Sequence, residues 1–561
     1  MIRPCGVVLS ALMAAFPALA AGAEPPGDDE GEEYEERLGD PYLAPGPLRT
    51  SVPAVFADRD GFPQSAQVNV TATQLNILGD AANEPSIAVD PFAPNRMTIG
   101  WRQFDNVASN FRQAGFAWTV DGGRTWHKGT IEAGTFRSDP IVRAGPDGTV
   151  FYNSLTEDFS CWVFRSQDAG RSWGGPAASF GGDKQWMAVD RTGGPGRGFL
   201  YQMDSFGAFT RSTDGGMSWM SPSGYPTARG NLVVGPGGVV YGGGASTSLT
   251  VVRSLNANQA GQTPTFQAAT LPITLSGVGG AVVNPGGLAG QVVVGVDPSA
   301  GRLGWVYVVA TAPGTATDIV FSRSTDGGVS WSSLVRLPGR GATALAGYQW
   351  FGTMSVAPNG RIDVVYNDTA SRAYTQSQLV YTASYDGGVT WLAPVPMGPV
   401  WDSTVGWPNQ NKIGDYYDME SDLLGADLVY AATYNGEQDV YYLRIGPRDC
   451  NGNGVDDAVE TASGDVLDTN GNGVPDSCEI AAGAVPDVNH NGIPDNACPD
   501  TDFNNDGLFP DTADIDDFLS VFSGGPCGTP SCDSIDYNHD RLFPDTADID
   551  ALLSVFSGGP C

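Results

Sequence analysis

Between residues 65 and 447 the chain alternates short apolar runs with turns rich in glycine and proline, and the spacing of an amphipathic helix is scarce. One apolar phrase recurs. Its copies are Pro85-Ser86-Ile87-Ala88-Val89-Asp90, Pro140-Ile141-Val142-Arg143, Trp186-Met187-Ala188-Val189-Asp190, Leu232-Val233-Val234, Val292 to Val296, Phe351 to Val356 and, more weakly, Tyr416-Tyr417-Asp418-Met419. A second phrase, [Ser/Thr]-x-Asp-x-Gly-x-[Ser/Thr]-Trp, occupies Thr119–Trp126, Ser166–Trp173, Ser212–Trp219, Ser324–Trp331 and Ser384–Trp391, after copies one, two, three, five and six. Arg253–Asn258 and Tyr434–Glu437 read as eroded hairpins after the fourth and seventh.

A unit of roughly 45 to 60 residues carrying four short strands predicts a β-propeller. Seven units predict seven blades, and six remain open if the fourth or seventh unit is an insertion. Ala66–Thr71 alternates apolar and polar residues and is expected to close the ring as the outer strand of the last blade. Within the second phrase the chemistry suits a hairpin turn: the carboxylate accepts turn N–H groups, Gly supplies a positive φ, and Trp buries a ring between sheets.

Before the propeller, residues 1–23 read as a secretory signal. Arg3 supplies the positive region, Val7–Leu19 the apolar run, and Ala18-Leu19-Ala20 or Ala21-Gly22-Ala23 the small-residue cleavage site. The run is too short to span a bilayer, and the mature protein is expected outside the cell or at its surface. Residues 24–64 are acidic and Pro-rich and are expected to be disordered.

After residue 447 the character changes. In residues 448–497, Asp449, Asn451, Asn453, Gly454, Asp457 and Glu460 occupy positions 1, 3, 5, 6, 9 and 12 of a calcium loop. Asp468, Asn470, Asn472, Gly473, Asp476 and Glu479 repeat the pattern, and Asp487, Asn489, Asn491, Gly492 and Asp495 repeat it without the final Glu. Residues 498–561 hold a tandem repeat of period 34, with Asp502, Asn504, Asp506 and Asp514 matched by Asp536, Asn538, Asp540 and Asp548. Each of these loops runs into a helical pattern: Ile515, Phe518, Leu519 and Phe522, then Ile549, Leu552, Leu553 and Phe556. Calcium is the cofactor these oxygen-rich loops predict.

Charge and rare residues narrow the chemistry. The net charge of −34 disfavours nucleic acid and anionic membrane, and from Asp449 onward 23 acidic residues face one basic residue, Arg541. With only His127, His490 and His539, neither a Ser-His-Asp triad nor a His-rich zinc site is credible. Eight cysteines fit an oxidising compartment. Repeat symmetry suggests Cys450–Cys478, Cys498–Cys527 and Cys532–Cys561, with Cys5 in the signal and Cys161 a buried structural thiol.

The Asp-containing phrase resembles the Asp-box, or BNR repeat, of sialidases and related propellers. That resemblance covers roughly residues 65–447 and implies a fold more than an activity. The C-terminal loop-helix duplication is similar to a dockerin module, in the variant bounded by Gly-Pro-Cys, and implies a cohesin-like or cell-surface partner. Arg541 departs from it by replacing the turn Gly of the second loop.

Residues just before each apolar phrase are expected to converge on one mouth of the channel: Asn83 and Glu84, Arg137 and Asp139, Asp183 and Lys184, Arg229 and Asn231, Tyr348 and Gln349, Asp415 and Tyr416. The sialidase resemblance implies an arginine triad, a Tyr nucleophile activated by Glu, and an acid Asp. Asn83-Glu84-Pro85 stands where that family carries its first arginine, so that arginine is missing; Arg102 and Asp105 lie near its second arginine and acid, and Tyr416 or Tyr417 with Glu420 is the nucleophile candidate. A glycosidase of another type would need two carboxylates across the mouth, from Glu84, Asp105, Asp139 and Asp415. The two function classes are therefore a glycan-hydrolysing enzyme and a glycan- or protein-binding propeller, each carried by the calcium tail.

Overall fold

The computed structural model describes residues 40–57, 63–225, 229–245, 248–274, 282–313, 317–338, 347–369, 373–453, 455–469, 474–482, 503–504, 512–528 and 546–557, with 485, 492, 494 and 535. Short strands β1 (Thr50–Ser51), β2 (Val55–Ala57), β3 (Pro63–Gln67) and β4 (Asn76–Ile77) precede the repeats. Seven antiparallel sheets follow.

The first blade is β5 (Ala81–Val89), β6 (Met97–Phe104), β7 (Gln113–Thr119) and β8 (His127–Ile131). The second is β9 (Ser138–Ala144), β10 (Val150–Leu155), β11 (Cys161–Ser166) and β12 (Gly174–Ala178). The third is β13 (Trp186–Val189), β14 (Leu200–Met203), β15 (Ala208–Ser212) and β16 (Ser223–Gly224). The fourth is β17 (Leu232–Gly235), β18 (Val239–Ala245), β19 (Ser248–Ser254) and β20 (Gln267–Thr274). The fifth is β21 (Val293–Val296), β22 (Val306–Pro313), β23 (Thr317–Ser324) and β24 (Val335–Arg336). The sixth is β25 (Gln349–Val356), β26 (Ile362–Asp368), β27 (Gln376–Ser384) and β28 (Val395–Pro396), with β29 (Trp401–Asp402) also paired to β27. The seventh is β30 (Asp418–Ser421), β31 (Ala426–Ala432) and β32 (Asp439–Ile445), completed by β3 and then β2.

The ring is thus a seven-bladed propeller closed as the alternating stretch predicts. Ser65 pairs with Leu443, Ala66 with Tyr442 and Gln67 with Tyr441, and Val68 N–H continues the ladder to Val440 O at 2.8 Å. Closure puts the two ends of the propeller chain in one sheet, which removes the exposed edge that β32 would otherwise present. Inner and middle strands are buried on both faces because each blade is covered by its two neighbours; all nine residues of β5 and all seven of β31 and β32 are buried.

Each Asp-containing phrase joins the third strand of its blade to the fourth. In the fifth blade Asp326 Oδ1 accepts the amides of Val329 and Ser330 at 3.1 and 2.9 Å, while its Oδ2 accepts the Ser330 hydroxyl at 2.5 Å. Asp121, Asp168, Asp214 and Asp386 repeat the bond to the amide four residues on. The phrase's Trp reaches the preceding blade: Trp126 meets Tyr442, Trp173 meets Phe116 and Trp391 meets Phe321, at 5.4, 5.6 and 5.0 Å between centroids. Gly388 is confined twice, by a φ of 80° and by Phe321, which a Cβ there would meet at 2.2 Å.

Two expectations change. Tyr434–Glu437 joins β31 to β32, the second strand to the third, so it is not the counterpart of the Asp turns; at the counterpart position the chain instead leaves the propeller after Ile445. Within the N-terminal acidic segment, residues 40–57 carry strand pairing. β1 pairs with β4 and β2 with β3, and Asp40 exchanges bonds with Asn110 at 2.8 and 3.0 Å. Composition missed this because backbone pairing on an open sheet edge needs few apolar side chains.

Past the propeller, Arg448 is held by Asp427 at 3.1 Å and its amide bonds Asp456. Helices α1 (Asp457–Ser463) and α2 (Asp476–Ala482) follow, and the Cys450–Cys478 disulfide ties the loop before α1 to α2, the pairing expected. Helices α3 (Thr512–Phe522) and α4 (Thr546–Phe556) share a small core of Phe503, Phe518, Ala551 and Leu552. Cys527 is disulfide-bonded; Cys498, Cys532 and Cys561 lie outside the described residues, as do Asn470, Asn472, Asp487, Asn489, Asn491, Asp495, Asp502, Asp506, Asp536, Asn538 and Asp540.

Candidate functional site

The inner strands all begin on one face, the mouth face, and a residue at or close to the start of each is a backbone outlier. Glu84, Asp139, Lys184, Arg229 and Phe351 stand at equivalent places in blades one, two, three, four and six, each with φ between 48° and 61°. In blades five and seven Gly290 and Gly414 take the positive φ instead. Non-glycine residues pay for this conformation. Here it comes with a β-bulge in blades one and six, which re-aims a side chain that the pleat would otherwise send between blades.

The redirected side chains meet over the channel axis. Arg102 Nη2 lies 3.0 Å from Glu84 Oε1, both fully buried. Lys412 Nζ lies 3.9 Å from the same oxygen and 3.0 Å from Asp415 Oδ2. Lys184, from the third blade, reaches Asp415 of the seventh at 3.2 Å and its neighbour Asp183 at 3.3 Å. The Lys184 amide donates to Asp139 Oδ2 at 3.2 Å. Tyr416 crosses the axis as well, donating its hydroxyl to Pro140 O at 3.1 Å and packing edge-on against Trp186.

Two connecting segments lie over this cluster. Asn284 bonds Gly414 O and the Ile413 amide at 2.7 and 2.9 Å, the Leu288 amide donates to Asp415 Oδ1 at 2.8 Å, and Gln410 accepts from Arg102 at 3.3 Å. The result is a plug. Glu84, Arg102, Lys412, Asp415 and Asp139 are all buried in it.

Burial and charge drive the carboxyls apart. Burial raises Glu84 well above the ordinary carboxylate range, against the pull of Arg102, and the Asp139 and Asp415 charges raise it further. Burial acts on Asp415 too, but Lys184, Lys412 and Arg102 together hold it well below that range. Tyr416 is raised well above its usual value by burial, then by Glu84 and Asp139.

Five of the six catalytic candidates, Glu84, Arg102, Asp139, Asp415 and Tyr416, are therefore brought together, and Asp105 is not. It sits at the end of β6, bonded to Gln113 at 2.5 Å and to the Tyr42 hydroxyl at 3.5 Å. The Tyr–Glu pair is not assembled: Glu420 pairs with Arg191 further down the channel, and the Tyr417 hydroxyl donates to Ala431 O at 2.7 Å inside the core. Sequence reasoning missed Lys412, which lies on a connecting loop outside every repeat. Its one available signal was a cation three residues before Asp415.

Below the plug the channel widens into a cavity of 570 Å³ walled by the inner strands of all seven blades. Ile87, Trp186, Val233, Val294, Met354 and Met419 supply apolar wall between polar groups such as Asn231, Thr353 and Ser355. Its charges are paired, Arg143 with Asp418 at 2.6 Å and Arg191 with Glu420.

In the tail, Asp449, Asn451, Asn453, Asp457 and Glu460 form one loop. Asn451 and Asn453 both turn their amides to the Glu460 carboxylate, at 2.9 and 2.5 Å. Asp457 Oδ1 accepts the Cys450 amide, and Asp476 Oδ1 accepts the Thr469 amide in the second loop. The other oxygen of each, Asp457 Oδ2 and Asp476 Oδ2, is buried without a donor. Asp468, Glu479, Asn504, Asp514 and Asp548 are described at their loop and helix positions; Asn504 reaches Asp517 at 3.0 Å. Cys161 is a free, fully buried thiol, and burial pushes its pKa far up.

No known protein-family profile matches the chain, and no curated protein matches it. Solved structures do. A protein of unknown function from Dyadobacter fermentans is 15% identical over 69% of this chain and 98% of its own, with a TM-score of 0.38. A Hadza microbial sialidase is 13% identical over 65% and 66%, at 0.34. The NanB sialidase of Streptococcus pneumoniae is 11% identical over 68% and 70%, at 0.35.

Proposed function

We propose that the protein is an exported propeller of the Asp-box type that binds glycan on its mouth face without hydrolysing it. Its tail is a dockerin-like module, ordered by calcium, that displays the propeller on a cohesin-like or cell-surface partner. One observation carries the binding reading: the charged groups nearest the axis neutralise one another inside a plug, with Glu84 and Arg102 fully buried. Hydrolysis needs an acid and a nucleophile or base that touch the glycosidic bond, and the candidate Tyr–Glu pair is separated.

Calcium fits the residues of the first loop. Hard cations take six or more oxygens; Asn451 and Asn453 turn to Glu460 in this loop, and Asp457 keeps a donorless buried oxygen beside it in sequence. Bound calcium would supply the positive charge that this loop lacks, and ordering the loop would stabilise the fold around it.

A second reading has its own support. Two carboxyls whose environments drive them apart, Glu84 upward and Asp415 downward, are what an acid and a base require. Fluorogenic exo-glycosides, led by an α-sialoside, offered to the mature protein with calcium decide between the two. The expected result is no turnover together with saturable binding on a glycan array. Turnover that disappears in Glu84→Gln or Asp415→Asn overturns the binding reading and establishes a hydrolase.

A further inference from the structure

We propose that Arg448 is the joint between propeller and tail, and that calcium in the first tail loop locks it, holding the mouth face turned away from what the tail carries. This deepens the display part of the proposed function and rests on its calcium reading. Between Ile445, the end of β32, and Asp449, the first predicted ligand of the loop, stand only Gly446, Pro447 and Arg448.

Each of the three is tied to the propeller. Gly446 lies against Leu424 O, which a Cβ there would meet at 2.9 Å, and Pro447 O accepts Arg444 Nε at 3.0 Å. The Arg448 side chain goes further in. Its Nη2 donates to Asp427 Oδ1 at 3.1 Å and to the Tyr442 hydroxyl, and Asp427 is buried. On its other side stands the Asp turn of blade one, where a Cβ on Gly122 would fall 3.2 Å from Arg448 Nε. The guanidinium is therefore clasped between blades seven and one.

The main chain of the same residue belongs to the loop. Its N–H donates to Asp456 Oδ2 at 3.1 Å and its carbonyl accepts the Asp457 amide at 2.8 Å. Asp456 in turn caps α1 by accepting the Val459 amide at 3.2 Å, and Asp457 accepts the Cys450 amide at 2.9 Å. Cys450 passes the constraint on to α2 through Cys478. Because one residue closes the loop with its backbone and clasps the propeller with its side chain, whatever orders the loop also holds the clasp, and linkage makes the effect reciprocal. Residues 448–460 set Asp449, Asp456, Asp457 and Glu460 against the single cation of Arg448. Like charges favour the open loop, and a divalent cation reverses that preference.

Topology gives the joint its direction. The inner strand β30 starts at the mouth face, antiparallel β31 returns to it, and β32 runs away from it again, so the chain leaves on the opposite face, beside the Asp turns. A locked joint there keeps the mouth pointing outward. A loose one lets it swing about residues 446–448.

Trypsin tests the joint directly, because it must draw Arg448 out of the clasp to cut before Asp449, and the next basic residue is Arg541. The mature protein is digested in calcium and in chelator, the fragments are identified by mass, and calcium binding is measured by calorimetry. Cleavage after Arg448 is expected to be at least about tenfold slower with calcium, and Glu460→Gln should be cut fast in both. Arg448→Ala removes the clasp but no predicted ligand. It should keep its circular dichroism and bind calcium, while its small-angle scattering in calcium widens to that of the chelated wild type. Calcium bound with cleavage after Arg448 unchanged, or an Arg448→Ala profile identical to wild type, overturns the joint and leaves the calcium reading standing. No calcium bound by the folded wild type overturns both.

Discussion

Lys184 of the third blade stands 3.2 Å from Asp415 of the seventh, and this one ion pair spans the axis of the propeller. It joins blades that share no sheet. The pair is mostly buried, with Lys184 13% and Asp415 3% exposed, so removing one partner strands a charge.

Lys184→Met should lower stability by about 2–4 kcal/mol, less than a fully buried pair because Lys412 still faces Asp415. Adding Asp415→Asn should recover part of the loss. Urea unfolding of the two variants and their combination checks this; additive losses would mean the groups are not coupled.

The Asp turns should matter singly and about equally. Asp326 is held far below the usual range, first by the Ser330 hydroxyl and then by its amide, and Asp386 sits at about 2 because its bonds to Thr390 outweigh the effect of burial. Asp326→Ala or Asp386→Ala should each cost about 1–2 kcal/mol, and Asn should cost less. Because these pKa values are depressed in the fold, the contribution is present above about pH 4 and fades as the pH falls below it. Thermal melts between pH 2 and 7 read it.

Ring closure carries the opposite pH dependence. Asp439 is raised to about 8, by burial and then by the Asp80 charge, and Asp80 to about 6, by burial against the pull of Lys128. Asn69 and Asn435 bond Asp439, Gln103 bonds Asp80, and Glu437 lies close to both. Raised carboxyls favour the fold fully below about pH 4, and that contribution is lost as the pH rises through about 6 and about 8. The melting temperature should therefore decline from about pH 4 to about pH 8 and level off above that, and Asp439→Asn should flatten the decline. An unchanged slope in that variant would assign it elsewhere.

Deleting residues 40–67 removes the strand that pairs with β32 and should leave a propeller with an open edge. The expected outcome is loss of the monomer to aggregation, seen by light scattering. A monomeric, fully folded truncation would show that β30, β31 and β32 hold the ring alone.

Chelation should separate the two halves of the chain. With calcium removed, α1 and α2 should lose order while the propeller melts at its usual temperature, and Glu460→Gln should reproduce this with calcium present. Hydrogen exchange reads the two regions independently. Protection in the tail that ignores both chelator and substitution would refute calcium as its organiser.

Much of this molecule is local and was legible in the chain itself. The Asp turns are written in eight consecutive residues because their hydrogen bonds run from one carboxylate to amides three and four positions on. Seven apolar phrases counted the blades, and the alternation after residue 65 marked the closing strand, because burial between neighbours leaves a period that survives without coordinates.

The mouth was decided only by the tertiary structure. Glu84, Arg102, Lys184, Lys412 and Asp415 come from three blades and a connecting loop, and no periodicity links residues that meet across an axis. Their polar character suggested an open rim; their burial, and the separation of the Glu84 and Asp415 pKa values, follow from segments 282–290 and 403–417 lying over them. Residues 40–57 were misread for a related reason. Their order comes from hydrogen-bonding partners up to several hundred positions away, and composition measures only what a segment can bury by itself.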